Sequence, residues 1–91
     1  MRHMNPESAE AAAHQIESFV RDRFHIADDD RLFGREVNLW EEGYVDSLGV
    51  VEMIEFLEQR FAVKLPEEAI FSPDFTSIDG IARTVVSLKA G

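Results

Sequence analysis

At Asp46-Ser47-Leu48 a hydroxyl stands where a loop turns into a helix. Asp46 is a good N-cap, because its carboxylate can accept hydrogen bonds from the orphan backbone N–H groups of the first turn. To act as a hydrolytic nucleophile, Ser47 would need a base and an oriented third group. The chain lacks the G-x-S-x-G elbow and any glycine-rich phosphate loop, and it has no cysteine. His3, His14 and His25 show no carboxylate or cysteine arrangement of metal-ligand type, and the i, i+4 histidine pair of a helical zinc site is absent. Asp28-Asp29-Asp30 lacks the D-x-D-x-D-G spacing and distal glutamate of a calcium loop. The residue types therefore predict no metal site and a chain that is not itself an enzyme.

The element that must hold Ser47 is a helix running to Phe61. Leu48, Val51, Ile54, Leu57 and Phe61 recur at helical spacing and predict a core-facing side. Glu52, Glu55 and Glu58 lie on the other side, giving an acidic outer face. Upstream, Asn5-Pro6-Glu7 is a helix-start signal. From there Ala9, Ala12, Ala13, Ile16, Phe19, Val20 and Phe24 form the apolar stripe of a first helix. Glu10, Gln15, Glu17, Arg21 and Asp22 are its water-facing side. Across residues 27–45 the periodicity fades. Leu32, Phe33, Val37, Leu39 and Trp40 are expected to pin this long loop to the bundle, with Trp40 and Tyr44 as packing residues. Pro66 starts a short third helix that Ser72-Pro73 stops, with Ile70 and Phe71 turned inward. Thr76 and Asp79 resemble a capping box for a last helix, whose inner face is Ile78, Ile81, Ala82, Val85 and Leu88. Gly80, costly in a helix, hints at close contact there. The fold expected is all-α: a small four-helix bundle, three helices long and the third short, with a long loop between the first two.

The chain has 91 residues, enough for one domain and too few for two. Residues 1–4 read as a tag or vector remnant or a disordered start, and residues 5–91 as the domain. A formal net charge of -9 argues against nucleic acid and anionic lipid. No apolar run approaches the roughly 20 residues needed to span a membrane. Such an acidic protein is better matched to basic patches on other proteins. With neither a transit peptide nor a secretory apolar region following the start, the expectation is a cytoplasmic monomer.

The order of features resembles the acyl carrier protein family: a Gly-containing loop, Asp-Ser-Leu, an acidic helix ending in an aromatic, then a short Pro-initiated segment. The resemblance covers roughly residues 39–86. It implies that Ser47, flanked by the motif neighbours Asp46 and Leu48, is the covalent attachment point of 4'-phosphopantetheine. That group would come from coenzyme A, through a phosphopantetheinyl transferase and Mg²⁺. Acyl intermediates would then ride as thioesters on its thiol, in fatty-acid, polyketide-type or other secondary-metabolite biosynthesis. The family's acidic second helix is its docking surface, which places Glu52, Glu55, Glu58 and Val51 in that role. The implied partners are an acyl-loading ligase or acyltransferase and downstream synthase or tailoring enzymes with basic docking patches. Gly49 departs from the best-known fatty-acid carriers, which have another acidic residue there. The change removes a charge beside the serine and leans toward a dedicated biosynthetic pathway.

Two alternatives stand beside this one. The first is a stand-alone peptidyl or aminoacyl carrier. The G-G-[HD]-S pattern common in modular peptide synthetases is replaced here by Gly43-Tyr44-Val45-Asp46-Ser47, yet stand-alone aminoacyl carriers resemble acyl carriers. The second is an interaction domain that keeps the bundle and is never modified.

Overall fold

The structure is a computed structural model that describes residues 8–90. Its first helix, α1, is Ala9–Arg23, capped by the Ser8 hydroxyl, which accepts from the Ala11 N–H at 3.1 Å. The helix-start signal at Asn5-Pro6-Glu7 and residues 1–4, expected as a tag or vector remnant or a disordered start, lie outside the described residues. Ala12, Ala13, Ile16 and Val20 are buried as expected, whereas Phe19 and Phe24 are half-buried and Ala9 is exposed. The polar side is only partly in water. Glu17 is drawn into ion pairs with Arg21 and Arg35, and the Gln15 side-chain oxygen is buried. The helix ends as His25 turns into the left-handed region (φ 56°).

The long loop that follows has few regular elements, and individual hydrogen bonds hold it. The Asp30 carboxylate accepts from the Leu32 and Phe33 amides and from the Tyr44 hydroxyl. Asn38 accepts from the Trp40 and Glu41 amides. Further on, the Leu39 N–H donates to the Thr76 carbonyl at 2.7 Å, and the Asp79 N–H to the Arg35 carbonyl at 2.9 Å. Phe33 and Leu39 are buried and Val37, Trp40 and Tyr44 half-buried, as anchors should be. Leu32 is not an anchor: it is 71% exposed. The Asp30-centred turn sends Phe33 inward and leaves its neighbour outside.

Helix α2, Ser47–Phe61, buries Gly49, Met53, Leu57 and Phe61. The expected inward set was partly wrong, for Leu48 is 77% and Val51 55% exposed, and Ile54 is half-buried. A glycine is the first member of the buried row, and a hydrophobic pattern cannot register a residue with no side chain. Ala62, left-handed at φ 56°, ends α2. Helix α3 is a single turn, Glu67–Ile70, behind the N-cap Pro66.

Phe71 points out at 81% exposed, against expectation, and Ile70 is half-buried. The inward aromatic is Phe75, 1% exposed, carried on a 3-10 turn at Pro73–Thr76. Pro73 thus opens this turn as well as following α3, and Ser72 caps it through the Asp74 amide. Helix α4, Ile78–Ala90, is capped by Ser77, whose hydroxyl accepts from the Gly80 N–H at 3.0 Å. Thr76, expected in that position, donates its hydroxyl to the Pro73 carbonyl instead. The inner row of α4 is as expected, with Ile78, Ile81, Ala82 and Val85 buried and Leu88 half-buried.

Helix α4 lies along α1 and also touches the 3-10 turn and α2. Ile16, Val20, Leu39, Met53, Leu57, Phe75, Ile81 and Val85 meet in one core. Among the described residues there is no strand, and the fold is the expected bundle of three long helices and one short one. Among the described residues no helix is long and apolar enough to cross a membrane.

Candidate functional site at the head of helix α2

The approach to Ser47 is fixed from both sides. On one, Val45 is buried and its N–H donates to the Leu39 carbonyl at 3.1 Å. On the other, Asp46 adopts an extended backbone, and its carboxylate accepts from the Gly49 N–H at 2.8 Å. The Asp46 carbonyl takes the Val50 N–H, the first bond of the helix ladder. Ser47 is therefore the first helical residue, and it is exposed. No described residue hydrogen-bonds to its hydroxyl, so no base and no oriented third group are assembled on it.

Gly49 is closely packed. A Cβ at this position would sit 2.6 Å from Cε1 of Phe24 and 2.9 Å from a methyl of Val45. The sequence comparison registered only a missing charge here, whereas the position is buried and a carboxylate could not occupy it without displacing the Phe24 ring. Gly49 lets the end of α1 press against the first turn of α2.

The residues that sequence reasoning grouped as a docking face separate into three kinds. Val51 is an exposed apolar group near Ser47, and so is Leu48, expected as a motif neighbour and not as part of that face. Glu55 is exposed and pairs with none of the described residues. The other two carboxylates are engaged within the molecule. Glu52 forms an ion pair with Arg23 of α1. Glu58 accepts the Leu65 N–H at 2.9 Å, tying α2 to the connector that leads into α3. Arg23 was missed in the sequence because 29 residues separate it from Glu52. No local pattern links them.

Behind the site, Arg35 bridges the loop to α1, donating to Glu17 at 2.9 Å and to Glu10 at 3.0 Å. The hydrogen bond from Arg35, then that from Arg21, holds the Glu17 carboxyl below the usual glutamate value. The same bonds, Glu17 first and Glu10 second, raise Arg35 above its own. Partial burial, and then the hydrogen bond to Asp30, pushes the Tyr44 phenol up. The aspartate run beginning at Asp28 is thus a loop fastener through Asp30. Among the described residues no cluster of His, Asp and Glu could hold a metal.

A helical bundle with a long first loop, and an exposed hydroxyl leading its second helix, has the make-up of a small carrier domain. The family described as phosphopantetheine attachment site matches residues 14–85, and the chain belongs to it. Members of this family hold 4'-phosphopantetheine covalently. They are not catalysts themselves and act with a phosphopantetheinyl transferase and with loading and other partner enzymes. Among curated proteins, the chain is similar to the D-alanyl carrier protein of Streptococcus uberis (strain ATCC BAA-854 / 0140J), at 35% identity over 66% of this chain and 84% of that protein. The D-alanyl carrier proteins of Streptococcus pyogenes serotypes M5 and M49 match at the same identity and the same shares of both chains. No solved structure matches the chain.

Proposed function

We propose that this protein is a carrier that takes 4'-phosphopantetheine on Ser47 and shuttles a small acyl unit, of the aminoacyl class, between a loading ligase and a downstream enzyme. The observation that carries the reading is the exposed, unengaged Ser47 hydroxyl at the first position of a helix whose cap is already satisfied by Asp46. In the transfer, Ser47 Oγ attacks the β-phosphorus of coenzyme A. The new P–O bond replaces the pyrophosphate bridge, 3',5'-ADP leaves, and the hydroxyl proton passes to a base on the transferase.

The residues fit the group. The Asp46 carboxylate takes the Gly49 amide, and the Ser47 and Leu48 amides remain at the positive end of the helix dipole, where a phosphodiester is favoured. When bound, the group supplies a thiol that holds the cargo as a thioester. What this chain adds is position: an extended entry, a capped first turn, and a surface for partners at Leu48, Val51 and Glu55. An aminoacyl cargo is supported by the similarity to D-alanyl carriers. The reading includes a monomer acting in the cytoplasm, with the domain formed by residues 5–91.

Intact-protein mass before and after incubation with coenzyme A, Mg²⁺ and a broad-specificity phosphopantetheinyl transferase tests the attachment. Wild type should gain one phosphopantetheine and Ser47→Ala none. A gain in both proteins, or in neither with the transferase shown to be active, would remove Ser47 from the role. Offering the holo protein to a D-alanine-activating ligase and to a fatty-acyl ligase then separates the cargo classes.

A further inference from the structure

Residues 48, 51, 52 and 55 stand at i, i+3, i+4 and i+7 and so share one face of α2, directly after Ser47. On that face two apolar side chains are exposed and two carboxylates are present, but one of the carboxylates is already matched. Arg23, in the last turn of α1, donates to Glu52. It is brought there by packing: Gly49 admits the ring of Phe24, so the residue before Phe24 reaches the second turn of α2. The two side chains are 49% and 40% exposed, so the pair adds little to stability. Its consequence is the charge that an approaching protein meets.

We propose that Arg23 is a specificity-determining residue of the carrier's docking face, because it withholds Glu52 from partners and leaves Glu55 as the uncompensated carboxylate beside Leu48 and Val51. The surface fits an enzyme that offers an apolar cleft with a cation opposite Glu55 and none opposite Glu52. A broad basic patch gains less from it, since a second cation meets either a neutral pair or the Arg23 guanidinium itself. Repulsion of this kind selects among partners as effectively as attraction does. The inference rests on the carrier reading above and concerns the same face.

The test compares kcat/KM for phosphopantetheine transfer across a salt series, with coenzyme A, Mg²⁺ and one broad-specificity transferase. The proteins are wild type, Arg23→Ala, Glu52→Gln, the double variant, and Arg31→Ala. Arg31 is an exposed loop residue whose loss changes net charge equally. Arg23→Ala should raise kcat/KM about threefold or more at low salt and steepen its decline with salt, while Arg31→Ala stays within about twofold. The double variant, in which neither charge remains, should return to within about twofold of wild type. Equal effects of Arg23→Ala and Arg31→Ala, or a gain over wild type that persists in the double variant, would overturn the proposal while leaving the carrier reading in place. Absence of any transfer to wild type would overturn the carrier reading, and this inference with it.

Discussion

Gly80, in the first turn of α4, lies directly against the carbonyl of Asp74 in the 3-10 turn, so that a methyl group on its α-carbon would overlap that oxygen. The contact lets the turn carrying Phe75 fold back on α4 and close the core.

Two effects of Gly80→Ala oppose each other. Alanine is favoured over glycine in a helix by about 1 kcal/mol. The obstacle, however, is a backbone carbonyl that cannot rotate away, and overpacking of this kind costs about 1–3 kcal/mol or more. The overlap should win. Urea unfolding of Gly80→Ala is expected to show a midpoint lowered by the equivalent of about 2 kcal/mol at unchanged m value. A more stable variant would mean that the turn moves freely relative to α4.

Gly49 gives a milder version, since its neighbour is a side chain. Gly49→Ala should cost about 1–2 kcal/mol, and much of that should vanish in a Phe24→Leu background, where the ring is gone. Additive losses in the double variant would separate the two positions. Gly49→Asp, which restores the charge of the fatty-acid carriers, should be more damaging than Gly49→Ala.

The tie between Glu58 and the Leu65 amide predicts a structural phenotype for a residue of the acidic face. Glu58→Ala should speed hydrogen exchange at Leu65 and lower stability by about 1 kcal/mol. Glu58→Gln keeps an acceptor oxygen and should recover much of both. Glu55→Ala should change neither. If Glu58→Ala exchanges like wild type at Leu65, the bond does not persist in solution.

Acid should loosen the loop through Glu17. Its pKa is lowered in the folded protein by Arg35 and Arg21. The stabilisation is therefore present above the ordinary glutamate value and is lost as pH falls below it, through the folded-state pKa. Wild type should be more stable than Glu17→Gln at pH 7, by about 1 kcal/mol for this partly screened network. The gap should close progressively in urea titrations taken below about pH 4.5. A gap independent of pH would assign the loss to packing.

The helices, their order and their number were legible in the sequence because Ala12, Ile16, Val20, Leu57, Phe61, Ile81 and Val85 repeat at helical spacing and are buried. Ser47 and Asp46 were legible too, since a cap acts within a few residues. The inner row of α2 was misplaced because Gly49 contributes closeness and no hydrophobicity. Phe71 was placed inward and Phe75 was passed over because an irregular turn decides which aromatic faces in, and residue spacing carries no record of that turn. Ser77 in place of Thr76 is the same problem at one residue's resolution. The Arg23–Glu52 pair lies beyond any local pattern, because tertiary packing alone brings it together.

Trp40 is the one tryptophan of the chain, and its indole N–H donates to the Phe75 carbonyl at 3.2 Å. The protein therefore contains its own optical reporter at the seam between the long loop and the 3-10 turn. Its emission should shift to the red when that seam opens, ahead of the loss of helical circular dichroism if the loop detaches first. A carrier passed between several enzymes could then be watched for loosening on each of them, with no added label near Ser47.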